Sequence, residues 1–144
     1  MDERQEQAAD LAALIVSLAR RIADLPFTDP EIVSLSPLEV LVLRHIDQRD
    51  AISPSELGRQ LGLKSSNTSA ALRALTELGL VRRTRSEQDR RVIEVSLTDR
   101  ARDTIERVRA ERSALLLSLI ADDAELSTTV ALLGRIEEKL WERD

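Results

Sequence analysis

The chain has 144 residues, 42% of them hydrophobic and 33% charged, with a formal net charge of −5. That is the composition of one ordinary globular domain, able to bury about 70% of its unfolded surface. It has no cysteine and one histidine, which excludes disulfides, thiolate chemistry and Cys- or His-rich metal sites; no cofactor is expected. No apolar run reaches the roughly 18 residues that span a bilayer, and the first residues carry no signal-peptide core, so a cytoplasmic protein with no membrane partner is expected. The charge is uneven: Arg44 to Arg102 holds 12 Lys+Arg against 8 Asp+Glu, and the remainder holds 9 against 18. A basic middle in an acidic chain points to a polyanion-facing module on an acidic scaffold.

Apolar residues open the chain at Ala8, Leu11, Ile15, Leu18, Ile22 and Leu25. The alternating steps of three and four make a heptad-like helical seam that needs a partner along its length. Pro26, Pro30 and Pro37 punctuate the linker that follows. Ser36-Pro37-Leu38-Glu39 is a helix start: serine caps, proline takes the first helical position and glutamate reaches back. It predicts a helix Pro37–Gln48 with Leu38, Leu41, Val42, His45 and Ile46 on one face. Ser53-Pro54-Ser55-Glu56 repeats the signal for a short helix ending near Gly62, with Leu57 and Leu61 inward. A further helix runs from about Ser65 to Leu78 and stops at Gly79; its inward face is Thr68, Leu72, Leu75 and Leu78.

The period then changes. Val81–Arg85 reads as a strand, Ser86–Arg90 as a turn, and Val92–Leu97 as a second strand with Ile93, Val95 and Leu97 on one face. Thr98 caps a long helix to about Ile120. Asp122 starts a last one, with Leu126, Val130, Leu133, Ile136 and Leu140 inward. With aromatic residues at 1%, the core must be aliphatic. The fold class is mainly α with a small β-hairpin wing: a winged helix-turn-helix at 36–102 and helical dimerisation segments at 1–30 and 103–144, within one domain of 1–144. The second helix of the close-linked pair would enter a major groove.

The helix from Ser65 presents Ser66, Ser69, Ala70, Arg73 and Glu77 opposite its apolar face, with Asn67 at the flank and Lys64 and Ser65 at its start. Helix N-terminal amides with Ser and Asn suit phosphates and base edges, and Arg73 suits guanine or a phosphate. Alone, such a run is an ordinary polar helix start; its register with the short helix and the hairpin gives it meaning. The hairpin carries Arg82, Arg83, Arg85, Arg90 and Arg91 against Glu87 and Asp89. A solvated, aggregation-blocking edge would favour lysine and mixed signs, whereas arginine is the better reader of a narrow minor groove.

These residues carry a resemblance. Leu57-Gly58-Arg59-Gln60-Leu61-Gly62-Leu63, then Leu72 and Leu75, then Leu78-Gly79-Leu80-Val81-Arg82-Arg83, resemble the multiple antibiotic resistance regulator (MarR) family, as do Asp89-Arg90-Arg91 and Val95-Ser96-Leu97-Thr98 in the wing. The resemblance covers about Ser36 to Arg102 in motifs and the whole chain in element order. It implies a homodimer with interlocked terminal helices and two winged helices reading a near-palindromic site. It implies that Asp89 orients an arginine, that Arg91 enters the minor groove, and that Ser66, Asn67 and Ser69 meet bases and phosphates. Two departures stand out. Ala70 occupies a position where the family often has arginine, and Ala101 one where it often has glycine.

The seam Ala8–Leu25 and the face Leu126–Leu140 fit intersubunit burial, since so small a reader domain has little core to offer two extra helices. Trp141 falls near that interface or at a frayed terminus. His45 reads first as a hydrogen-bonded core histidine and second as an effector contact, beside Arg20 and Arg21, whose plainer reading is a solvated helix face. The family often takes small aromatic acids there, but this chain has almost no aromatic side chains to stack on them.

The sequence therefore points to a cytoplasmic, homodimeric transcriptional regulator that reads double-stranded DNA, a repressor relieved by a small-molecule effector. The alternative is a winged-helix protein-protein interaction module, which the arginine-rich hairpin disfavours. An enzyme lacks support: there is no phosphate-binding glycine loop, no metal-ligand spacing and no base beside a nucleophile.

Overall fold

The computed structural model describes residues 1–142, apart from the side chain of Trp141, whose expected packing lies outside the described residues. The chain forms two compact units, Met1–Pro30 and Glu31 onward. The first is one helix, α1 (Glu3–Asp24), started by a capping box in which Asp2 accepts from the Gln5 N–H and the Gln5 side chain accepts from Asp2. Its seam residues Ile15, Leu18 and Leu25 are exposed and Leu11 and Ile22 half-buried.

The second unit holds α2 (Pro37–Asp47), α3 (Pro54–Gln60), α4 (Ser65–Glu77), β1 (Val81–Arg85), β2 (Ile93–Leu97), α5 (Asp99–Leu119) and α6 (Asp123–Trp141). Ser36 and Glu39 close the capping box of α2, and Ser53 caps α3. Gln48, expected inside α2, is its C-cap.

Chain reversals fix the α3–α4 pair and its link to the hairpin. Gly62 takes φ 61°, a left-handed conformation that favours glycine. It lets the Leu63 N–H reach the Gly58 carbonyl at 2.8 Å and turns α3 into α4. Gly79, at φ 72°, ends α4 in a Schellman motif, with Gly79 N–H on Thr76 O (3.0 Å) and Leu80 N–H on Leu75 O (2.9 Å).

Val42, Ile46, Leu57, Leu72, Leu75, Leu80 and Val95 are fully buried and make an aliphatic core among α2, α3, α4 and the hairpin. Each such side chain contributes about 1.5–3 kcal/mol by leaving water. Ala101 closes the core from α5.

The strands pair antiparallel, from Val81 opposite Leu97 out to Arg85 opposite Ile93. Ile52 adds a bridge to Val95 through two backbone hydrogen bonds of 3.1 and 2.8 Å, tying the α2–α3 linker to the wing. The expected alternation on β2 holds for Val95 and Leu97 and fails at Ile93, which is 40% exposed. Ile93 sits in the outermost pair, where the hairpin has left the core. Ser96, on the opposite face, is buried, and its hydroxyl accepts from Arg82 Nε at 3.2 Å. Val92 belongs to the turn, its N–H bonded to the Asp89 carbonyl.

Thr98 caps α5, and Asp122 caps α6. On α6, Leu126 and Ile136 are half-buried, while Val130 (62%), Leu133 and Leu140 are exposed. Leu116, Leu117 and Leu119 at the end of α5 are exposed as well. Among the described residues, no helix is long and apolar enough to cross a membrane.

Candidate nucleic-acid interface

The candidate surface follows from the way α4 buries its apolar stripe. Thr68, Ala71, Leu72 and Leu75 face the core, so Ser66, Asn67, Ser69, Ala70 and Arg73 are exposed, with Lys64 and Ser65 at the helix start. Lys64 is the N-cap and makes no side-chain cap hydrogen bond. The first-turn amides of α4 therefore keep free donors, and the helix dipole adds partial positive charge there. Such a terminus takes a phosphate oxygen readily.

The wing is built by its backbone. Ser86 N–H donates to the Val92 carbonyl (2.9 Å), Val92 N–H to the Asp89 carbonyl (2.9 Å), and Gln88 N–H to the buried Ser86 hydroxyl (3.3 Å). The Asp89 carboxylate accepts from the Arg91 backbone N–H at 3.0 Å. It holds Arg91 through the main chain, so the guanidinium itself stays free of it. Arg82, Arg83, Arg85, Arg90 and Arg91 are all exposed.

Several arginines elsewhere in the chain are held in ion pairs. Arg20 pairs with Asp24, Arg44 with Glu137, Arg59 with Glu56, Arg102 with Asp99 and Arg107 with Asp103. Among the described residues, Lys64, Arg73, Arg83, Arg85, Arg90 and Arg91 form no ion pair. Unpaired arginines on one hairpin and one helix raise the local positive potential, and such cations are available to phosphates without first breaking a protein contact.

The three effector candidates are not gathered in one compact unit. His45 is 8% exposed on α2 and its Nε2 lies 2.8 Å from Gln60 Oε1 on α3, the core arrangement. It also borders a cavity of about 290 Å³ lined by Leu41, Arg44, Gln48, Gly134, Glu137 and Glu138. Arg20 and Arg21 lie on α1, along a shallow groove with Val16, Ser17 and Asp24.

One network escaped the sequence reading. Glu56 accepts from Arg59 Nε (2.8 Å) and from Gln60 Nε2 (2.6 Å), and Gln60 in turn meets His45. The Arg59 and Gln60 hydrogen bonds pull the Glu56 carboxyl down to about 2. The spacings of three and four within α3 are the signal that was present; the link to His45, fifteen residues away, left none.

Residues 35–93 match the MarR family. The transcriptional regulator PecS of Dickeya dadantii is 34% identical over 112 residues, covering 74% of this chain and 67% of PecS. The transcriptional repressor MdtR of Bacillus subtilis is 24% identical over 147 residues, covering 96% of this chain and 95% of MdtR. Streptococcus pneumoniae FabT, solved in complex with DNA, shares the fold with a TM-score of 0.62 at 20% identity, over 98% of this chain and 96% of FabT. The element order, the wing and these likenesses agree: the chain belongs to the MarR family of transcriptional regulators.

Proposed function

We propose that this regulator binds double-stranded DNA as a homodimer, reads a near-palindromic operator, represses by occluding it, and is relieved by a small-molecule effector. The carrying observation is the clustering of exposed cations without an ion pair, among the described residues, on α4 and on the wing. On this reading Ser65, Ser66, Asn67, Ser69 and Arg73 enter the major groove, with Lys64 on a phosphate. Arg85, Arg90 and Arg91 follow the adjacent backbone and minor groove, and Asp89 sets the Arg91 backbone. Residues 36–102 form the reader, and 1–30 with 103–144 the dimerisation region. The exposed leucines of α1, and separately those of α5 and α6, supply apolar surface a second copy would cover. The name of MdtR supports repression, and the FabT complex supports DNA as the partner. A cytoplasmic location follows from that partner. His45, Arg20 and Arg21 are the candidate effector contacts.

The test is selection from a random duplex library at low and physiological salt. Affinity carried by phosphates falls steeply with salt as counterions are released. Enrichment of two half-sites related by a two-fold axis, about one helical turn apart, is the expected result. Binding without enrichment would mean that Ala70 has cost the base readout. No binding at either salt would transfer the assignment to a protein-interaction module.

A further inference from the structure

Thr98 makes more contacts than a helix cap requires. Its hydroxyl oxygen accepts from the Ala101 N–H at 3.2 Å, which starts α5. The same hydroxyl donates to the Gly79 carbonyl at 2.6 Å. Its backbone N–H donates to the Leu80 carbonyl at 3.1 Å. Gly79 and Leu80 are the two residues whose N–H groups close the Schellman end of α4. One half-buried side chain therefore bonds both the terminus of the recognition helix and the first turn of the long helix.

We propose that Thr98 is a positioning residue that sets the angle between α4 and α5 and thereby fixes the half-site spacing the dimer accepts. The inference rests on the homodimer reading above. Helix α5 has 21 residues and carries Leu116, Leu117 and Leu119 exposed at its far end. A helix of that length spans about 31 Å, so a tilt of roughly 10° at its start moves its far end by about 5 Å. One base step is about 3.4 Å. A joint that flexes by that much would blur spacing by a base pair or more, whereas a joint held by three hydrogen bonds keeps one spacing. Val81 and Leu97 pair directly beside the joint, so the wing root moves with it.

Three substitutions separate the joint from the cap. Thr98→Ser keeps both hydroxyl bonds. Thr98→Asp keeps the cap, because an ionised carboxylate accepts from Ala101 N–H, but it cannot donate to Gly79. Thr98→Val loses both. Each is measured against duplexes carrying two half-sites with the spacer varied by up to two base pairs either way, alongside a thermal melt. The expected result is an unchanged spacing profile for Thr98→Ser and a flattened one for Thr98→Asp at nearly normal melting temperature. The preference for the best spacing over its neighbours falls about fivefold, the equivalent of one neutral hydrogen bond. A uniform loss at every spacing, with the profile intact in Thr98→Asp, overturns the proposal and leaves Thr98 a structural cap. If Thr98→Val does not fold, the Thr98→Asp and Thr98→Ser pair still decides. Absence of any spacing preference in the unaltered protein overturns the dimer reading itself, and the Thr98 role with it.

Discussion

The Cβ that Gly58 lacks would fall 2.8 Å from the Thr68 hydroxyl oxygen, closer than real Cβ atoms come to other atoms. The two residues stand at a close approach of α3 and α4. The Leu63 N–H closes the turn onto the Gly58 carbonyl at the same place. Thr68 is buried and anchored to the Lys64 carbonyl at 3.3 Å, so its hydroxyl has little room to move aside. Gly58→Ala therefore forces α4 outward and is expected to cost about 1–3 kcal/mol, the usual range for overpacking. Chemical denaturation measures this. A variant of unchanged stability would show that the α3–α4 contact relaxes freely, since alanine is otherwise the better helix former.

Arg91 is held by its backbone and free at its guanidinium. On the proposed reading, Arg91→Ala lowers affinity for a selected operator roughly tenfold and reduces the slope of log affinity against log salt by about 1. Arg91→Lys keeps the charge but loses the planar fork, so its salt slope should stay while affinity falls part of the way. Titration at three salt concentrations reads both. An Arg91→Ala affinity equal to that of the unaltered protein would remove the wing from the interface.

Local signals were the legible ones. Ser36, Ser53, Thr98 and Asp122 announce helix starts because a cap needs only the next two or three residues. Gly79 announces the end of α4 for the same reason, and the arginines of the wing are exposed. What depended on distant packing was not legible. Ile93 obeys the alternation of its strand and is still exposed, because alternation does not say where the hairpin leaves the core. The pairing of His45 with Gln60 needs α2 laid against α3 before it exists. The contact Asp89 makes with Arg91 is local in the same way as the caps: its carboxylate accepts from the Arg91 backbone N–H two residues on, a turn geometry aspartate favours.

The Glu56 carboxyl, held near 2 by Arg59 and Gln60 against an ordinary 4.5, makes stability depend on acid. A carboxyl whose folded value is depressed contributes above its unfolded value and loses that contribution as pH falls toward the folded one. The window is therefore from about 4.5 down to about 2. Both Glu56 and Arg59 are solvent-facing, so screening keeps the effect small. Melting temperatures between pH 6 and pH 2 should fall less steeply for Glu56→Gln than for the unaltered protein. Parallel curves would show that the Glu56 bonds persist in the unfolded chain or do not form in solution.

Leu133 lies on the exposed face of α6 and takes no part in the reader core. If that face meets a second copy across a two-fold axis, each substitution there counts twice. Burying one leucine is worth about 1.5–3 kcal/mol, so Leu133→Asp should weaken the dimer by roughly a hundredfold or more. The helix-turn-helix and wing should remain folded, because Val42, Leu57, Leu72 and Val95 pack without it. Sedimentation equilibrium with circular dichroism on the same sample separates the two effects. A monomer of unchanged helix content is the expected result. It should bind an isolated half-site weakly and the paired site no better than additively, since the linkage between two reading heads has been cut. A dimer of unchanged strength in Leu133→Asp would place the interface on another face of the chain.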